Sequence, residues 1–149
     1  MSKSDQWESD LLKLYFQNIA AAGVGDAGGL LPSAAAGSAY VSLHTADPGE
    51  AGLQNTNETS YTNYARVAVV RSAAGWTISG TAPTQAANAA AITYAQCGVT
   101  GATITHFGVG DAASGATKLR YSGPLNTNLI VSNLETPSFG IGALVVTED

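Results

Sequence analysis

A chain of 149 residues, 45% of them hydrophobic, is long enough to bury one sizeable core and too apolar to remain a disordered polymer. Its net charge of −5, with only six Lys and Arg, excludes the phosphate-neutralising chemistry of a nucleic-acid binder and leaves no polybasic patch for an anionic membrane. The single Cys97 excludes an intramolecular disulfide framework, and no apolar run approaches the roughly 20 residues of a membrane-spanning helix.

The first 22 residues carry a helical pattern. Trp7, Leu11, Leu12, Tyr15, Phe16 and Ile19 fall on one face of a 3.6-residue repeat, with Ser4 as N-cap, Asp5 and Glu8 near the positive end, and Gly23 as the stop. These six residues are candidates for a subunit interface; covering one end of a β-core is the simpler role for the same face. Residues 23–38, rich in Gly, Ala and Ser, read as a linker or flexible arm.

From residue 39 to 149 the pattern becomes short strands separated by turns. Tyr40–Thr45 alternates, with Val41 and Leu43 expected inward and Tyr40, Ser42 and His44 outward. Asp47-Pro48-Gly49 is a turn, because Pro presets φ, Gly tolerates positive φ and Asp bonds its own backbone. A long polar loop leads to a strand at Tyr64–Arg71, with Trp76–Ser79 as its expected hairpin partner. Ala87–Tyr94, Ala102–Val109, Thr117–Ser122, Asn128–Ser132 and Ala143–Thr147 are the remaining strands, although the Ala-rich run Ala86–Ala91 also suits a helical turn. Short strands at this spacing predict a mainly β fold: a single antiparallel, jelly-roll-like β-sandwich behind an N-terminal amphipathic helix and arm.

Few residues suit chemistry. His44, His106 and Cys97 are isolated in sequence, whereas a metal centre needs several ligands together. There is no G-x-S-x-G elbow, and Cys97 lies between strands where a small buried hydrophobe is the simpler role. Acids such as Asp47 and Asp111 are explained by turn bonding. Tyr40, Tyr61, Tyr64, Tyr94, Tyr121 and Trp76 offer material for a sugar-binding surface, though rings on half-buried strands also simply pack well. Arg66 and Arg71 flank a VAVV run, so a bond from one of them to Glu58 or Asp111 would pin a loop. The expectation is therefore no enzyme and no cofactor. Charged residues are 11%, against about 25% in an ordinary soluble domain, which predicts a surface that meets other subunits.

Three stretches stand out together: YVSLHTADPG at Tyr40–Gly49, YTNYARVAVVR at Tyr61–Arg71 and THFGVGDAASGATKLRYSGPL at Thr105–Leu125. In order and spacing they resemble a family of small proteins encoded among the structural genes of tailed bacteriophages. The resemblance implies a virion building block, assembled in the host bacterial cytoplasm. Within that class the expected role is a capsid decoration or cement subunit that binds the major capsid protein and copies of itself, as a dimer or trimer. The alternative is a tail-fibre or tail-tip component that recognises a host surface glycan.

Overall fold

The computed structural model describes residues 2–81 and 83–148. Among them one helix, α1 (Asp5–Gln17), precedes nine strands: β1 (Ser38–His44), β2 (Val67–Val70), β3 (Trp76–Ser79), β4 (Thr84–Asn88), β5 (Ile92–Thr93), β6 (Ala102–Gly110), β7 (Leu119–Val131), β8 (Ser138–Phe139) and β9 (Val145–Glu148). They form sheets of order β2-β1-β6-β7, β3-β4-β9 and β5-β8, with no closed barrel among the described residues. The chain is mainly β, with antiparallel sheets and an N-terminal helix, the class its sequence predicted. It divides into two compact units between which the backbone alternates: Met1–Ser38, Val70–Ala91 and Phe139–Asp149 make the first, Ala39–Val69 and Ile92–Ser138 the second.

In the first unit α1 starts as expected, the Ser4 hydroxyl accepting from the Trp7 N–H. It ends at Gln17, short of the expected Gly23, because Asn18 takes the left-handed conformation at φ 56° and closes the helix. The last turn contains no basic residue of its own. Arg71 supplies the missing cation from far along the chain, donating to the Leu14 and Tyr15 carbonyls that the helix leaves unpaired. Leu12 and Phe16 are fully buried, and Phe16 packs against Trp76 of β3 with ring centroids 4.5 Å apart. The following segment is held by its own bonds: Asn18 and Ser33 exchange two hydrogen bonds of 2.9 Å, and Ala21 and Leu30 pair through their backbones. The Ala-rich run becomes strand through Asn88, where β4 pairs antiparallel with both β3 and β9 and so gains neighbours on each side.

Two strand expectations are corrected. Val67–Val70 and Trp76–Ser79 are not hairpin partners, since β2 joins β1 while β3 joins β4. Thr117–Ser122 and Asn128–Ser132 are parts of one strand, β7, running through Gly123-Pro124. That strand is the sheet edge, where a proline's missing donor costs nothing. Ile104 faces Leu129 while His106 already faces Pro124, so the surplus residues of β7 form a bulge.

In the second unit β1 is a central strand. Val41, Ser42, Leu43 and His44 are all buried, so the expected alternation between an apolar and a wet face is not observed. Two polar residues there require hydrogen-bond partners: Ser42 and His44 bond each other, and Thr56 in the loop that follows β1 supplies His44's second partner.

Candidate functional site

Two of the three stretches singled out in the sequence meet at Arg66 in the second unit, and the loop that follows the first stretch joins them there. The Arg66 side chain is only 1% exposed. Nε and Nη2 bind the two Glu58 carboxylate oxygens at 2.7 Å each, a fork-to-fork pair. Nη1 donates to Gln54 Oε1 at 3.1 Å and to the Ala112 carbonyl at 2.9 Å, and Nη2 also donates to the Gly115 carbonyl at 2.8 Å. One guanidinium thus ties the loop after β1, which carries Gln54 and Glu58, to the turn between β6 and β7. The anticipated Arg66–Glu58 bond is present. Arg71 serves the helix instead, and Asp111 pairs with Arg120 at 2.7 Å on the surface.

The surrounding groups complete the clamp. Tyr64 donates its hydroxyl proton to Glu58 at 2.8 Å and accepts from the Leu43 N–H at 3.0 Å. Fully buried Gln54 donates to the Tyr40 carbonyl at 2.7 Å while its oxygen accepts from Arg66 and from Thr117. Nothing in the polar run GEAGLQNTNETS distinguishes Gln54 from its neighbours, so sequence reasoning missed it. The close fit also explains Gly110: a Cβ there would lie 2.3 Å from Gln54 Oε1.

His44 and His106 do come together, as directly opposed residues of β1 and β6. Fully buried His44, however, has both ring nitrogens engaged. Nδ1 donates to the Thr56 carbonyl at 2.8 Å, which leaves Nε2 to accept from the Ser42 hydroxyl at 2.9 Å. Neither nitrogen offers a free lone pair to a metal, and among the described residues no three His, Cys, Asp or Glu side chains cluster. Ser42 is equally buried, so the Ser–His contact presents no nucleophile to a substrate.

Burial lowers the His44 pKa, outweighing the Thr56 bond and the Glu58 charge that favour the cation. Unfolding restores an ordinary imidazole near 6.5. Below that pH the unfolded chain binds the proton more readily, so His44's contribution is intact above about 6.5 and is lost as the pH falls through the lower folded value. Urea midpoints compared between pH 7.5 and 5 should fall for the wild type, with a slope from this one group of at most about 1.4 kcal/mol per pH unit. His44→Gln should flatten that part of the slope; an unchanged slope would assign the acid sensitivity elsewhere.

None of the six aromatic residues considered for sugar binding is exposed. Tyr61, Tyr94 and Trp76 are buried, and Tyr40, Tyr64 and Tyr121 are half-buried. Tyr61, Tyr64 and Tyr94 pack on one another, with centroids 5.3 Å and 6.2 Å apart. Burial raises all three phenol pKa values, that of Tyr61 to about 12, so they remain protonated. A shallow groove of ≈ 530 Å³ lies beside the clamp, edged by Ser60, Thr62, Asn63 and the turn Ala113–Gly115. Its exposed side chains are uncharged, and the Arg66–Glu58 pair beneath them is neutralised internally.

Of the helix residues proposed as an interface, Leu12 and Phe16 are buried in the first unit, Trp7, Leu11 and Tyr15 are half-buried, and Ile19 is exposed. They take no part in the clamp. Cys97 is buried, its thiol facing the Gly98 and Thr100 carbonyls at 3.4 Å.

The family described as Podophage GP4 fiber I protein gp80 matches residues 2–147. The chain therefore belongs to that family, and it is a phage structural protein. No curated protein matches it.

Proposed function

We propose that this chain is a non-enzymatic building block of the fibre apparatus of a tailed-phage virion. Membership of a fibre-protein family over nearly its whole length carries the reading. The clamp supports it chemically. Its one acid, half-buried Glu58, is committed to Arg66 and Tyr64, and its buried imidazole is committed to Thr56 and Ser42. Such groups rigidify loops; they have no spare proton or lone pair with which to act on a substrate. Capsid decoration is the alternative, and the two roles differ in stoichiometry.

The test is the copy number per purified particle, measured by quantitative mass spectrometry against the major capsid protein. A fibre component should be present in a small number of copies set by the tail's symmetry. A ratio approaching that of the capsid lattice would overturn the fibre assignment in favour of decoration.

A further inference from the structure

We propose that the outer edge of β7 is an interface with a second copy of this chain, formed by antiparallel pairing of the two equivalent strands about a two-fold axis. The inference goes beyond the fibre reading and holds for either location in the particle. β7 is 13 residues long and last in the order β2-β1-β6-β7, so among the described residues one side of its backbone has no strand neighbour. Such edges template pairing unless charge, proline or a covering loop blocks them. Pro124 and the bulge after it guard the middle of the strand. From Leu125 to Val131 no proline or charged residue follows.

Burial points the same way. Asn126, Thr127, Asn128, Leu129 and Ile130 are exposed in succession, and where pairing with β6 resumes, the adjacent Leu129 and Ile130 leave both faces of the strand uncovered. Leu129 and Ile130, pointing to opposite faces, are 37% and 69% exposed. A groove of ≈ 240 Å³ beside them is lined by Leu129, Ile130, Val131, Glu135, Thr136 and Pro137.

The charge pattern selects the occupant and its direction. Between Arg120 near the start of β7 and Glu135 just beyond its end the sequence has no charge. Arg120 is paired with Asp111, and exposed Lys118 keeps that end cationic, so an antiparallel copy brings unlike ends together and lays an uncharged strand on an uncharged strand. A parallel copy would set like against like. Antiparallel self-pairing is also isologous, so it closes as a dimer and leaves no free β7 edge to propagate.

Sedimentation equilibrium of the full chain should show a reversible dimer. Ile130→Lys should weaken association by about tenfold or more, because it places a charge inside an otherwise uncharged strand-to-strand contact. Leu31→Lys, placed on an exposed position of the first unit, should leave the dimer intact. If Ile130→Lys fails to fold by circular dichroism, Thr127→Lys, on an exposed polar site, serves instead. In a Cys97→Ser background, Asn128→Cys should give a disulfide-linked dimer on oxidation. A monomeric wild type, a trimer or open polymer, or a dimer indifferent to the charged edge would each overturn the proposal.

Discussion

Replacing Arg66 by alanine should destabilise the second unit by about 3–5 kcal/mol, the cost of leaving one partner of a buried ion pair without the other. Glu58 is only 15% exposed and would keep its charge against a cavity, with Tyr64 as its remaining donor. The Ala112 and Gly115 carbonyls would lose their donor as well, releasing the β6–β7 turn. Arg66→Lys should recover little, since an ammonium cannot span both carboxylate oxygens and the two carbonyls. The double replacement Arg66→Met with Glu58→Gln should recover a substantial part, because no uncompensated charge is then buried. Five of the six tyrosines lie in the second unit, so the near-ultraviolet tyrosine signal during urea unfolding reads this loss. If Arg66→Ala left that transition within about 0.5 kcal/mol of wild type, the clamp would be a surface bond without structural weight.

Phe16→Ala should cost about as much in the first unit, roughly 3–5 kcal/mol, by opening a cavity beside Trp76. Ile19→Ala, on the same periodic face but 48% exposed, should change stability by less than about 0.5 kcal/mol. Both tryptophans, Trp7 and Trp76, belong to the first unit, so tryptophan fluorescence reports its unfolding selectively. A large loss for Phe16→Ala would identify the helix as part of that unit's core. An unchanged midpoint would return the whole helical face to the role of an external anchor.

The two experiments separate side chains that the sequence had to treat alike. Period alone placed Leu12, Phe16 and Ile19 on one face, yet Asn18 ends the helix before Ile19 and turns the chain away. Likewise the alternation of Tyr40–Thr45 marked a strand without showing that it would be covered on both sides. The β6–β7 hairpin was legible at its turn, because Gly, Ser and Asp cluster there. Its second strand was divided between Ser122 and Asn128, because the edge position that makes Pro124 acceptable within one strand is a property of the sheet.

The sequence by itself determined the β class, the capped N-terminal helix, the turn at Asp47-Pro48-Gly49 and the suspicion that an arginine beside VAVV pins a loop. Each of these follows from local physics: side-chain period, φ preference and the need of a charge for a partner. Tertiary structure alone decided that Gln54 sits inside the clamp, that Arg71 caps a helix 56 residues away from Tyr15, and that β3 pairs with β4 instead of β2. Those outcomes depend on which distant backbone carbonyls and strand edges lack partners once the chain is compact, and an unpaired group acquires its position only through the fold.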